Sequence, residues 1–212
     1  MRLFAQQPAK IINYHATQPA LEALQTLGRV CVDRLGLLSA RAGQFDAAMR
    51  YDRAALVLGW HLANERLSFD ELSLGLELMS KSSAAMASVC DQTHSQSLAA
   101  ALRDFDAKRV EYYRLRIEPI ARILRTVDPK TIGEHTGDMF AIAKNARERL
   151  WRVEAILALG RVRFLAGTGG TSANQRAATA LVTSLADRDA DPIIRTAATA
   201  ARNLTIEQHR MQ

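Results

Sequence analysis

The sequence predicts an all-α fold, and three observations support that prediction. Alanine and leucine dominate the 212 residues, arginine is the main cation, and all three residue types favour helices. Apolar residues recur at three- and four-residue steps through most of the chain, which is the spacing of one helix face. Strand signals are nearly absent, because no alternating apolar run is bounded by turn residues and neither Asn-Gly nor Asp-Gly occurs.

Turn and capping signals delimit the first three helices. The first begins at Pro19, and the residues predicted for its buried face are Leu21, Leu24, Leu27, Val30, Cys31, Leu35 and Leu38. Ala42-Gly43-Gln44 ends that pattern, and a second helix runs from Phe45 to Leu62. The third begins after Ser68, a capping residue with Glu71 at the capping-box spacing, and ends within the polar stretch 91–97.

The second half of the chain is predicted to be helical with more interruptions. A long helix from about Gln96 to Val127 contains Pro119, which removes a backbone hydrogen bond and predicts a kink near Glu118. Residues 128–136 have loop composition. The helices expected after that loop span about 137–165, 173–186 and 192–206.

Residues 34–58, RLGLLSARAGQFDAAMRYDRAALVL, resemble a tetratricopeptide repeat. The matching positions are Leu35, Gly36, Gly43, Phe45, Ala48, Ala55 and Leu56. The resemblance covers about residues 29–62 and implies a hairpin of two antiparallel helices that approach closely over small side chains. Val32, Ser39 and Trp60 replace the tryptophan, tyrosine and proline of the family pattern. Only one good copy occurs, whereas tandem stacking needs about three, and the alternative is an unrelated helix pair.

Residues 151–160, WRVEAILALG, and 191–204, DPIIRTAATAARNL, resemble the second helix of HEAT repeats. Arg152 and Arg195 are 43 residues apart, which lies in the range of such repeats. The resemblance covers about residues 140–206 and implies a stacked helical scaffold with a concave surface. It also implies that Asp189 or Asp191 pairs with Arg195.

Together these patterns predict antiparallel helix pairs in an α-solenoid-like arrangement. Residues 1–128 would form a helical domain with the tetratricopeptide-like hairpin, and residues 129–212 would form HEAT-like repeats. The two parts could also pack as one continuous domain.

The formal charge of +6 is concentrated in the middle of the chain, where residues 101–163 hold fourteen Lys/Arg against nine Asp/Glu. On a helix, Arg109, Tyr113 and Arg116 would share one face, a pattern that suits phosphate contact and base stacking. These three are the predicted binding residues. The alternative is a solvated basic face paired with glutamates, in which case the core would include Tyr112, Leu115 and Pro119.

No catalytic or metal-binding motif is found, and no cofactor is predicted. The five histidines lack paired spacing, so His61 and Glu65, four residues apart, predict a surface contact rather than a metal site. Cys31 and Cys90 are interpreted as buried thiols rather than a disulfide. The glycine-rich residues 167–172 lack the Gly-Lys-Ser/Thr of a P-loop and predict a connector.

The architecture favours a non-enzymatic scaffold that binds a protein or peptide, with a second copy of the chain as another partner. The alternatives are nucleic-acid binding through the basic 101–163 region and an enzyme of unknown type. The sequence contains no run of about 18 apolar residues, so no membrane-spanning helix is predicted. The first residues lack the apolar core of a secretory signal, which favours the cytoplasm unless the chain is a fragment of a targeted precursor.

Overall fold

The computed structural model describes residues 19–65, 68–126, 129–163 and 172–203, and every regular element within these ranges is a helix. The predicted all-α fold is therefore confirmed. The start of the chain, the predicted connector up to Thr171 and the predicted helical residues after Asn203 lie outside the described residues. Of the helices described, none has the length and apolarity needed to cross a bilayer.

The chain forms two compact units, which are described one at a time. The N-terminal unit comprises Thr17–Ile117, and the C-terminal unit contains the chain from Glu118 onward.

In the N-terminal unit, successive helices are joined by short turns and pack side by side. Their bounds are α1 from Pro19 to Arg41, α2 Phe45–Glu65, α3 Phe69–Gln92 and α4 Gln96–Tyr112, with a π-helical turn Tyr113–Ile117 after α4. α1 packs on α2 and α3, and α3 lies between α2 and α4. Gly43 has a φ of 72° in the α1–α2 turn, a conformation that glycine adopts without strain. Ser68 caps α3 as predicted, because its Oγ accepts from the Glu71 backbone N–H at 3.1 Å.

α1 is not a regular α-helix, and this changes which residues it buries. Its middle, Val30–Gly36, is π-helical, and α-helical segments lie on either side. A π-turn holds one residue more than an α-turn, so the residues after it are rotated relative to the α-helical pattern. The helix buries Gly28, Val32 and Gly36. The predicted buried face is wrong in part: Leu35 and Leu38 are exposed, and so is Leu27, which precedes the π-helical segment.

α2 and α3 make the closest helix contact in this unit through two glycines. A Cβ on Gly75 would lie 2.6 Å from the Gly59 carbonyl oxygen and 2.6 Å from the Ala63 backbone nitrogen. A Cβ on Gly59 would lie 2.7 Å from the Gly75 carbonyl oxygen. Backbone therefore packs directly on backbone at this crossing. The apolar side chains beside it form a cluster of Leu62, Leu74 and Leu78 with Leu21, Leu24 and Leu58 packed around them.

The C-terminal unit is built around one central helix. Its helices are α5 Glu118–Leu124, α6 Pro129–Asn145, α7 Arg149–Val162, α8 Ser172–Arg188 and α9 Pro192–Arg202. α7 contacts the other four, and from Trp151 to Val162 every residue except Arg152 is buried. A helix that is apolar nearly all round requires neighbours on every side. The buried Arg161 donates to the Leu124 carbonyl oxygen at 2.7 Å, which joins α7 to the end of α5.

The starts of the helices in this unit recur after 43 residues. α6 and α8 each contain 17 residues, and both α8 and α9 begin 43 residues after α6 and α7 respectively. Gly160 on α7 packs against Ala201 on α9, where a Cβ would lie 2.9 Å from the Ala201 Cβ. The sequence spacing of Arg152 and Arg195 therefore corresponds to a spacing of whole helices.

The prediction that a carboxylate of Asp189 or Asp191 pairs with Arg195 is wrong. Arg195 donates to backbone instead, at 2.6 Å from the Asp189 carbonyl oxygen. The two carboxylates bind arginines of α7: Asp189 pairs with Arg152, and Asp191 pairs with Arg149 at 2.6 Å. Asp191 also caps α9 through the Ile193 backbone N–H, at 2.9 Å. The turn before α9 thus holds the two helix pairs together, because it lies within reach of the first turn of α7.

Asp189→Ala is expected to lower the free energy of unfolding of the C-terminal unit by about 2 kcal/mol. The change leaves the mostly buried Arg152 guanidinium without its carboxylate and removes the acceptor of the Asp191 backbone N–H. Urea unfolding followed by the fluorescence of Trp151, which is buried in α7, measures it. The control is Asp187→Ala, which breaks an exposed pair with Arg202 and is expected to cost about 0.5 kcal/mol or less. Equal costs for the two variants would contradict the interpretation.

Two sequence-based boundaries in this unit are wrong. Residues 129–136, predicted as a loop, form the first two turns of α6, with Pro129 at the first helical position where a missing N–H costs nothing. The Thr136 hydroxyl donates to the Ile132 carbonyl oxygen at 2.8 Å. The hydrogen-bonding group of this buried threonine is therefore satisfied within the helix. The single helix predicted over 137–165 is interrupted between Asn145 and Arg149.

Candidate functional site

A carboxylate lies on the buried face of α2 in the N-terminal unit. That face has the spacing of one helix stripe and consists of Ala48, Asp52, Ala55, Gly59 and Leu62. Asp52 is 1% exposed, and its Oδ1 has no hydrogen-bond partner among the described residues. Because burial disfavours the charged form, it raises the pKa of Asp52 to about 6.

The π-turn of α1 leaves room for this carboxylate. It places Gly36 directly over Asp52, where a Cβ on Gly36 would overlap Asp52 Oδ1 and would lie 3.1 Å from Cγ. Glycine is therefore required at this position for α1 and α2 to pack as they do. The Asp52 carboxylate therefore occupies the space that a side chain at position 36 would fill.

A cleft of about 540 Å³ lies between α1, α2 and α3, with Gly36 and Asp52 among its lining residues. Its apolar lining includes Val32, Leu37, Ala40, Ala85 and Val89. The polar lining residues are Asp33, Arg41, Lys81, Ser88 and Gln92. The volume lies within the range of about 300–1,000 Å³ that is typical of small-molecule sites.

Two cations line the cleft, Lys81 and Arg41, and Lys81 is already engaged in ion pairs. Lys81 Nζ lies 3.1 Å from Glu77 Oε1 and 3.7 Å from Asp33 Oδ2. Arg41 is exposed. Asp52 is therefore a buried carboxylate that lines the cleft and whose Oδ1 has no hydrogen-bond donor among the described residues.

The predicted binding residues occupy the end of α4 and the turn after it. Arg109 Nε donates to Asp106 Oδ1 at 2.9 Å, and only 13% of the Arg109 side chain is exposed. Tyr113 is half-buried and begins the π-helical turn Tyr113–Ile117, whereas Arg116 within that turn is exposed. The three residues are close along the chain, but only Arg116 presents a fully exposed cation.

The alternative in which Tyr112, Leu115 and Pro119 belong to the core is wrong, because all three are exposed. The irregularity predicted near Pro119 is the π-turn that ends at Ile117. Since Pro119 has no N–H to offer, the backbone before it adopts wider hydrogen bonding instead of continuing as an α-helix.

α4 also carries an apolar stripe at a spacing of seven residues. Leu98, Phe105 and Tyr112 are between 37% and 46% exposed, and they extend about 21 Å along one side of the helix. The residues through which α4 packs on α3, Ala99 and Leu102, lie on the adjacent face. In the described part of the chain, all the large apolar side chains classed as exposed belong to the N-terminal unit.

The other sequence candidates do not assemble into a site. Cys31 is half-buried and Cys90 is buried, and both are free thiols. Burial and the neighbouring Asp91 raise the pKa of the Cys90 thiol. His61 and Glu65 are both exposed, and the His61 ring lies edge-on to Trp60 at 5.1 Å. Within the described ranges, no three His, Cys, Asp or Glu residues are grouped as metal ligands would be.

Asp52 was missed in the sequence although a signal for it exists. A charged residue stands on a helix face that otherwise contains only alanine, glycine and leucine, which is unusual unless the residue has a partner. No family model, curated protein or solved structure matches the chain, so the tetratricopeptide and HEAT resemblances stay predictions carried by the residues quoted for them.

Proposed function

We propose that this chain is a helical scaffold that binds an amphipathic, acidic helix of another protein along α4. The observation that carries the proposal is the stripe of Leu98, Phe105 and Tyr112. A spacing of seven residues keeps apolar side chains on one side of a helix and is the spacing through which two helices pack side by side. An exposed stripe of this length is more typical of an interaction face than of ordinary surface.

The charges on α4 indicate the chemistry of the partner. Arg103, Lys108 and Arg109 are paired with Asp91, Asp104 and Asp106 respectively. Arg116, four residues after Tyr112, is exposed and has no ion-pair partner among the described residues. The end of the stripe near Tyr112 is therefore positively charged, which favours a partner with acidic residues beside its own apolar side chains.

The repeat architecture belongs to the same proposal. The recurrence of helix starts after 43 residues supports a HEAT-like arrangement in the C-terminal unit. In the N-terminal unit, Gly36, Gly43 and Ala48 lie at a close helix contact and its turn, as the tetratricopeptide resemblance implies. Helical-repeat proteins act mainly as binding surfaces, so both features favour a scaffold.

A pair of synthetic peptides tests the proposal. Each is a 21-residue helix with leucine at heptad positions; one carries glutamate and the other lysine beside the leucines. We expect the glutamate peptide to bind at least about tenfold more tightly in fluorescence anisotropy, because only it complements Arg116 at the end of the stripe. Phe105→Ser combined with Tyr112→Ser should abolish that binding.

The matched control is Val57→Ser, which removes an exposed apolar side chain from α2 and should leave peptide binding unchanged. Circular dichroism of each variant checks that the helices remain. Binding of neither peptide, or equal loss of binding in the control, would overturn the proposal. A labelled single-stranded oligonucleotide that binds more tightly than the glutamate peptide would overturn it in favour of nucleic acid.

A further inference from the structure

We propose that the cleft over Asp52 binds a primary ammonium group carried on a short apolar stem. This site is separate from the stripe on α4 and does not depend on it. Asp52 would accept the ammonium donors at the floor of the cleft, and the stem would lie against the apolar residues of α1 and α3.

The first step of the argument is the unmet hydrogen-bonding capacity of Asp52. A carboxylate that is 1% exposed and has an Oδ1 without a donor is costly, and buried polar atoms in folded proteins nearly always have a partner. Because Lys81 is held by Glu77 and Asp33, the chain does not supply that partner from the cleft wall. A bound group with N–H donors would supply that partner.

The second step is the shape of the site. Gly36 adds no side chain to the cleft wall beside Asp52, and the side chains that follow along the cleft are small, with Ala40 on α1 and Ala84 and Ala85 on α3. Val32 and Val89 are buried and provide apolar wall. A narrow chain of methylene groups fits this apolar lining. Among the polar residues of the lining, Asp33 and Gln92 are exposed to solvent.

The third step is the choice of cation. A primary ammonium is compact and offers three donors, which suits a single carboxylate at the end of a cleft, whereas a guanidinium is planar and pairs best with a carboxylate open along both oxygens. A metal ion requires several ligands, and the lining contains one further carboxylate, the exposed Asp33. The charged groups facing the site are Asp33 and Arg41 from α1 and Lys81 from α3. The Lys81 charge is balanced by its two acidic partners, and Arg41 lies in solvent.

The experiment uses n-butylammonium as the probe and n-butanol as its uncharged counterpart, titrated into the full chain by isothermal calorimetry in an amine-free buffer at pH 7.5. We expect saturable binding of n-butylammonium and at least about tenfold weaker binding of n-butanol. Asp52→Asn keeps the shape of the side chain, removes its charge and should weaken n-butylammonium binding at least about tenfold. Asp46→Asn is the matched control and should change the affinity less than about twofold, because Asp46 is exposed at the start of α2 and does not line the cleft.

Two further arms make the result specific. Lowering the pH from 7.5 to 5 should weaken binding about tenfold, because a carboxyl with a pKa of about 6 takes up a proton in that range. A blocked Ala-Lys-Ala peptide separates the two sources of the ammonium: tighter binding than n-butylammonium supports a lysine of a partner protein, and weaker binding supports a free amine. Equal affinity of n-butylammonium for the wild type and Asp52→Asn, or equal affinity of the wild type for amine and alcohol, would overturn the proposal.

Discussion

Replacing Gly75 by alanine is expected to lower the free energy of unfolding of the N-terminal unit by about 3 kcal/mol. The added methyl group would lie 2.6 Å from both the Gly59 carbonyl oxygen and the Ala63 backbone nitrogen. Both neighbours are main-chain atoms within α2, so they cannot move aside as a flexible side chain could. α2 and α3 would have to separate, and the leucines packed beside the crossing would lose contact.

Urea unfolding followed by far-ultraviolet circular dichroism and by Trp60 fluorescence measures this loss, since Trp60 lies on α2. The control is Gly137→Ala in α6, where a Cβ would meet no heavy atom within 4 Å. There the same substitution is expected to raise stability by about 0.5–1 kcal/mol, because alanine restricts the unfolded chain more than glycine does. If Gly75→Ala also stabilised the protein, the close backbone contact would be contradicted.

Asp52→Asn is expected to stabilise the N-terminal unit by up to about 3 kcal/mol at neutral pH, in the absence of a bound cation, and to have little effect at pH 4. Burial raises the pKa of Asp52 from 3.8 to about 6. Since the folded protein holds the proton more tightly than the unfolded chain, this stability contribution is present below pH 3.8. It is lost as the pH rises through about 6. Asparagine does not titrate, so the stability of the Asp52→Asn variant does not fall in this way.

The measurement is the difference in unfolding free energy between the wild type and Asp52→Asn at several pH values from 4 to 7.5, in citrate and phosphate buffers. Comparing the two proteins at each pH cancels the titration of the other groups. The difference should grow with pH and level off above about pH 7. A difference that does not vary with pH would show that Asp52 is solvated in the folded protein.

The helix positions in the N-terminal unit could be predicted because each end is marked by a local signal, such as Gly43 in the first turn and Ser68 at the start of α3. The start of α6 could not be predicted from composition, because Lys130, Glu134 and His135 are polar residues typical of a loop. Pro129 was the available signal, since a proline at the first helical position also begins α9.

The buried face of α1 could not be predicted, because its apolar residues fit a regular α-helix and nothing local marks a π-turn. Leu35 and Leu38 continue the pattern of Leu21 and Leu24, yet the structure buries Gly36 instead. A residue on another helix contributes to this arrangement, because a side chain at position 36 would have to displace the Asp52 carboxylate. Packing between helices cannot be read from the local sequence. Neither the buried face of α1 nor the candidate site at Asp52 was therefore predicted.

The π-turn also sets which residue of α1 lies against Asp52. An α-helix advances about 100° per residue, so an uninterrupted helix that buries Gly28 and Val32 would next bury Leu35 and Ser39. Leu35 would then stand where Gly36 now faces Asp52, and its side chain would fill the cleft. Removing one residue, the exposed Arg34, would instead restore a regular helix with Gly36 still over Asp52. The one residue that the π-turn adds therefore decides whether a leucine or a glycine lies against the Asp52 carboxylate.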